Sequence, residues 1–267
     1  MDTFYSRVHW REFVVGDVAE ATAFFRRVMG WTIETMAGSD DYQVARLNEH
    51  TLGGFTLASG FADSGVGPGM IHYMSTDDLD AAAARAVAAG GVRLTDRTET
   101  PGVGAFSLFR DPGGAPHYLI QPEDMTVLGP DPTMAFNRWF WTEGLMGDLD
   151  ACMAYYNSVC NWTFTRNPVL SHPYYEISRE TIMAAFGGLM AAADAVEAKV
   201  PPHWITYIGV ENIDAMLEET VKAGGTVSVD PWEIAGLGHT AIICEPTGAY
   251  AQLFEVAAEV RGDPMHQ

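Results

Sequence analysis

Two glutamates occupy matching places in the chain. Glu12 lies in His9-Trp10-Arg11-Glu12-Phe13, ahead of Gly16-Asp17; Glu143 lies in Phe140-Trp141-Thr142-Glu143-Gly144, ahead of Gly147-Asp148. Both runs read as β-strands. Alternation along a strand puts Glu12 on the face of Trp10, and Glu143 on the face of Trp141. A carboxyl held among rings loses hydration, which raises its proton affinity and suits it to acid–base work. The structural alternative stays open: each glutamate can pair with an arginine such as Arg46 or Arg179. His203 and Tyr207 add a titratable ring and a phenol able to polarise a carbonyl. His203 follows Pro201-Pro202, so an exposed strand start is the other reading. His239, after Gly238, reads as a hairpin surface residue.

Several other chemistries lack their residues. Gly65-Val66-Gly67-Pro68-Gly69 contains Pro and opens a strand, so it is no phosphate loop. Neither a Gly-x-Ser-x-Gly elbow nor a His-Glu-x-x-His helix occurs. The cysteines, Cys152, Cys160 and Cys244, are three in number and form no Cys-x-x-Cys pair. They read as free thiols, the first two on a helix, rather than a disulfide frame or zinc site.

The elements that must position these groups come from an internal repeat. Phe24-Phe25 and Gly30-Trp31 return as Tyr155-Tyr156 and Asn161-Trp162. Ile71-x-Tyr73, Ala89-Gly90-Gly91 and Gly102-x-Gly104 return as Ile205-x-Tyr207, Ala223-Gly224-Gly225 and Gly236-x-Gly238. Asp111-Pro112-x-Gly114-Ala115 returns as Glu245-Pro246-x-Gly248-Ala249, turns whose Pro and Gly are structural. Each half divides again. Asp17 caps a helix carrying Ala21, Phe24, Phe25 and Val28 at helical spacing, and Gly30 stops it. Strands follow at Thr32–Thr35, Tyr42–Leu47 and Phe55–Leu57. Met70–Ser75 is a strand, Asp78 caps Leu79–Ala89, and strands return at Val92–Thr95, Gly104–Phe109 and His117–Ile120. The unit is β-α-β-β-β, four times over, with the last two copies starting near Arg138 and Trp204 and carrying helices Asp148–Cys160 and Asn212–Ala223. The fold class is α+β. The expected domains are 1–125 and 136–260, two modules each, joined by a Pro/Gly/Asp-rich linker at 126–135 and followed by a tail at 261–267.

Composition narrows the partners. The 267 residues carry 15 Lys+Arg against 35 Asp+Glu, a formal charge of −20. Such a chain repels phosphate backbones and anionic membrane surfaces, so neither nucleic acid nor membrane is an expected partner. No apolar run approaches a membrane span and no signal-peptide core opens the sequence, so the expected location is cytoplasmic.

The motifs resemble the vicinal oxygen chelate superfamily, which holds glyoxalase I, extradiol dioxygenases and bleomycin- and fosfomycin-resistance proteins. They carry it in Trp-x-Glu before the first helix, Gly/Asn-Trp after it, Ile-x-Tyr opening the second unit, and Asp/Glu-Pro-x-Gly-Ala before the last strand. The match spans residues 5–125 and 136–257 and looks most like the tandem, two-domain actinobacterial type. The resemblance implies two half-open, eight-stranded barrels, each with a cup. It implies that Trp10, Glu12, Tyr73, Tyr118, Trp141, Glu143, His203, Tyr207, Tyr250 and Gln252 point into the cups, while His9, His72 and His117 pack outward against helices. It also implies metal ligands at positions that here hold Trp10, Ile71, Tyr118, Trp141, Ile205 and Gln252. Of these only Gln252 can coordinate, and one weak ligand does not hold a divalent ion. No cofactor or metal is therefore expected. The aromatic walls suit a flat, aromatic or polyketide-like ligand, with Trp10, Tyr73, Tyr118, Trp141, Tyr250 and Gln252 binding it. The tryptophans can equally be barrel filling. The two functions that follow are a binding protein, or a metal-independent enzyme with Glu12 or Glu143 as acid/base beside His203 and Tyr207. A monomer or a homodimer is expected, because a tandem chain can mimic a dimer of single-domain relatives.

Overall fold

A computed structural model describes residues 8–39, 41–124, 136–179, 182–194 and 201–257. The expected linker and tail, 126–135 and 261–267, lie outside the described residues. Four βαβββ modules follow one another. The first is β1 (Val8–Val15), α1 (Val18–Met29), β2 (Thr32–Thr35), β3 (Gln43–Leu47) and β4 (His50–Leu57). The second is β5 (Gly69–Ser75), α2 (Leu79–Ala88), β6 (Val92–Arg93), β7 (Thr98–Thr100), β8 (Gly104–Arg110) and β9 (Pro116–Pro122). The third is β10 (Trp139–Met146), α3 (Leu149–Cys160), β11 (Trp162–Arg166), β12 (Tyr174–Arg179) and β13 (Ile182–Ala191). The fourth is β14 (His203–Gly209), α4 (Ile213–Lys222), β15 (Thr226–Ile234), β16 (Gly238–Cys244) and β17 (Tyr250–Val256).

The helices start and stop where the sequence says. Asp17, Asp78, Asp148 and Asn212 each accept a hydrogen bond from a backbone N–H three residues on, satisfying a first-turn donor. Gly30 (φ 68°) and Asn161 (φ 58°) end α1 and α3 in the left-handed region.

The strands form two mixed sheets. One has the order β2-β3-β4-β1-β5-β9-β8-β6, with β7 paired to β8 as a ninth strand; the other is β11-β12-β13-β10-β14-β17-β16-β15. Neither order closes on itself, as expected of half-open barrels. The ninth strand corrects the expected count of eight: Thr98–Thr100 pairs with Gly104–Phe106 through a short turn. The first strand of a module runs parallel to its last: β1 with β4, β5 with β9, β14 with β17. The intervening helix supplies the crossover a parallel pair requires.

Compactness divides the chain into two units that interleave in sequence. One gathers Ile71–Pro130 and Glu143–Trp204 with the start of β1; the other gathers Arg11–Met70, Asp131–Thr142 and Ile205–Gln267. Each unit pairs two helices, α2 with α3 and α1 with α4. Each has its own core: Phe109, Tyr155, Tyr156, Trp162 and Trp204 in the former, and Phe13, Phe25, Trp31, Phe55 and Trp139 in the latter. The repeated Ala-Gly-Gly has its reason here. A Cβ on Gly91 would lie 2.6 Å from the Tyr155 ring, and one on Gly225 would lie 2.7 Å from the Phe24 ring. Only glycine lets these aromatic rings of the partner helix come so close.

Of the histidines expected to pack outward, His117 meets a helix. His117 is fully buried and shares a 3.0 Å hydrogen bond with the Tyr155 hydroxyl on α3. The Asp/Glu-Pro-x-Gly-Ala turns are structural: Asp111 accepts from the backbone of Ala115, Glu245 from that of Ala249. Cys152 and Cys160 are buried free thiols on α3, and Cys244 is a half-buried one. No described helix is long and apolar enough to cross a membrane.

Candidate functional site

Glu12 is 4% exposed and Glu143 is 6% exposed. In each case a tyrosine hydroxyl reaches the carboxylate. Tyr42 donates to Glu12 Oε1 at 2.5 Å, and Tyr174 donates to Glu143 Oε2 at 2.9 Å. A third residue recurs with them. Gly54 pairs with Glu12 in the β1–β4 register, and a Cβ there would overlap the Tyr42 hydroxyl. Gly188 stands in the same relation to Tyr174. The constellation is therefore Glu–Tyr–Gly, built twice, once in each compact unit. An O–H···O bond of this kind fixes the orientation of the carboxylate.

Neither tyrosine nor glycine was singled out by sequence reasoning. A signal was present: Tyr42 and Tyr174 fall at corresponding positions of the repeat, and Gly54 and Gly188 each close a Gly-Gly pair. Each of the two arginines weighed as structural partners also meets another group. Arg46 Nε lies 3.2 Å from Glu34, and the Arg179 guanidinium sits over the Phe186 ring at 5.2 Å.

The aromatic expectations fall into two groups. In the unit containing β5, β8 and β9, Tyr73 and Tyr118 stack at 4.3 Å with an interplanar angle of 15°, and Phe106 meets both edge-on. In the unit containing β14, β16 and β17, Tyr207 packs with Phe254 at 6.0 Å and Phe140 at 6.2 Å. Trp141 is half-buried against this second cluster, and Trp10 is half-buried on β1. Tyr250 stands apart at the start of β17, 40% exposed. His203, half-buried at the start of β14, donates Nδ1–H to the Pro201 carbonyl at 2.8 Å, and burial lowers its proton affinity. The repeat positions of Phe106 and Tyr118 hold Thr240 and Gln252, which replace ring contact by a hydrogen bond: Gln252 Nε2 donates to Thr240 Oγ1 at 3.1 Å. A shallow hollow of about 720 Å³ beside α4 is lined by Leu217, Val221, Lys222 and Val227 among others, and by none of the expected site residues.

Residues 7–116 match the family model described as Glyoxalase/Bleomycin resistance protein/Dioxygenase superfamily. Over those residues the chain is similar to this superfamily. Over 94% of this chain and 95% of the relative, it is 25% identical to the Mycobacterium tuberculosis protein named "Putative glyoxylase CFP32". It is 24% identical to the Streptomyces peucetius anthracycline biosynthesis protein DnrV, over 92% of each chain. Among solved structures, the Mn(II)-bound glyoxalase from Novosphingobium aromaticivorans superposes with a TM-score of 0.62 at 13% identity, covering 94% of this chain and 82% of its own. The 2,3-dioxygenase LapB from Pseudomonas sp. KL28 gives 0.62 at 12%, covering 98% and 95%. At such identities the shared property is the fold.

The fold shared with the Mn(II)-bound glyoxalase raises the question of a metal. The positions from which ligands are drawn hold two tryptophans, two isoleucines, Tyr118 and Gln252. Among the described residues no three His, Cys, Asp or Glu side chains gather as a metal site requires. These residues do not fit a divalent ion held in the usual superfamily manner.

Proposed function

We propose that this protein binds a small, planar, aromatic or polyketide-like molecule in the aromatic-lined cups of its modules, without the usual superfamily metal. The observation that carries the reading is the clustering of rings on the expected cup-facing strands: Tyr73, Phe106 and Tyr118 in one unit, Phe140, Tyr207 and Phe254 in the other. Such faces gain from stacking a flat ring and from excluding water. The relative named for anthracycline biosynthesis supports it, since anthracyclines are flat, fused-ring polyketides.

The test uses 2-hydroxyanthraquinone as probe. Its titration should quench tryptophan fluorescence saturably, because Trp141 packs against the Tyr207–Phe254 cluster. Calorimetry should give a matching dissociation constant in the micromolar range. Absence of saturable change by both methods removes the reading.

A second reading is favoured by the twin Glu–Tyr pairs. In a metal-independent enzyme acting on a carbonyl or epoxide, Glu12 or Glu143 moves the proton while Tyr42 or Tyr174 orients the carboxylate. Under it, Glu12→Gln combined with Glu143→Gln abolishes turnover and leaves ligand binding intact. Unchanged turnover in that double variant excludes the mechanism.

A further inference from the structure

The two halves differ at one place that governs what a ligand must offer. Gln252 is 4% exposed and lies in parallel register with Tyr207. Its amide is locked by a relay. The Thr240 hydroxyl donates to the Leu253 carbonyl at 2.7 Å, so its oxygen has only acceptor capacity left. The Gln252 group facing it at 3.1 Å must then be the NH2, which fixes the amide flip. Oε1 is turned away from Thr240. An amide whose NH2 is committed presents its oxygen as an acceptor of fixed direction. Tyr207 and Phe254 supply the ring wall beside it. The corresponding residue of the first half, Tyr118, is a phenol stacked flat on Tyr73.

We infer that Gln252, oriented by Thr240, is a specificity-determining acceptor: the C-terminal half selects a planar ligand bearing a hydroxyl donor at its edge. The inference rests on the aromatic-binding reading above and adds the functional group the ligand must carry. Thr240 is a positioning residue, acting only through the amide.

The experiment compares 2-hydroxyanthraquinone with 2-methoxyanthraquinone, matched rings with and without the donor, by calorimetry on the full chain. Wild type should prefer the hydroxyl compound by roughly tenfold, one hydrogen bond to a buried neutral acceptor. Gln252→Met should erase that preference. Thr240→Val, which frees the amide to rotate, should cut the preference by roughly threefold; it decides the matter should Gln252→Met fail to fold by circular dichroism. Equal affinities in wild type, or a preference that survives both substitutions, overturn the inference while aromatic binding stands. Binding of neither probe overturns both.

Discussion

The Tyr42 hydroxyl reaches the Glu12 carboxylate because position 54 has no side chain. The same holds for Tyr174, Glu143 and Gly188. Adding one methyl group at either glycine displaces the tyrosine. Gly54→Ala and Gly188→Ala should each lose about 1–3 kcal/mol of stability through overpacking. Tyr42→Phe should lose about 1–3 kcal/mol, because a buried carboxylate is left without that donor. Both changes break the same contact, so Gly54→Ala with Tyr42→Phe should lose less than the sum. Urea unfolding of the four proteins checks this; strict additivity would show that the glycine and the hydroxyl are independent.

Stability should depend on His117 below neutral pH. Burial pushes its ring down from 6.5 to about 4. In the unfolded chain the ring takes a proton near 6.5; in the folded chain it stays neutral until about 4. The folded state therefore binds fewer protons between these values. Its stability is full above 6.5 and is lost as pH falls through about 4, by a sum on the order of 3 kcal/mol. His117→Gln keeps a polar partner for Tyr155 and should remove most of that slope. His203, shifted the same way by burial, leaves a smaller one. A variant with the wild-type pH profile refutes the assignment.

The thiols should be inert in the native protein. Burial raises the Cys160 thiol to about 12, and it raises Cys152 and Cys244 as well. The reactive thiolate is correspondingly scarce. Ellman's reagent at pH 8 should modify Cys152 and Cys160 only as the chain unfolds, and all three in guanidinium. Fast native labelling of Cys152 or Cys160, read by mass spectrometry, contradicts this.

A buried relay joins three elements of one unit. The Trp204 indole donates to the Tyr156 hydroxyl at 2.9 Å, which donates to Asp111 at 2.7 Å, while Ala115 N–H donates to the other Asp111 oxygen. Tyr156→Phe strands a donor and an acceptor together and should destabilise by about 2–4 kcal/mol. Tyr155→Phe removes only the hydroxyl bonded to His117 and should lose less. Equal losses, by thermal and urea unfolding, would remove the special standing of Tyr156.

The site was half legible. The glutamates stood out because their strand contexts repeat, and the ring-bearing strands followed from alternation. Tyr42 lies thirty residues from Glu12 and Tyr174 thirty-one from Glu143, so each pairing depends on how strands align. Gln252 was visible as a possible ligand. Which of its amide atoms is committed became visible only with Thr240, on the neighbouring strand, in place. Tyr250 shares the alternation of Gln252 and Phe254 yet stands open, because it begins its strand and lacks cover on that side.

The sequence by itself determined the four modules, their order and the helix boundaries. Caps at Asp17, Asp78, Asp148 and Asn212, and stops at Gly30 and Asn161, act within a few residues and need no distant partner. The tertiary structure decided which modules share a core, why Gly91 and Gly225 must lack side chains, and which hydroxyl meets each buried carboxylate. Those are contacts between segments far apart in the chain, set by the packing of whole surfaces, and no local pattern encodes them.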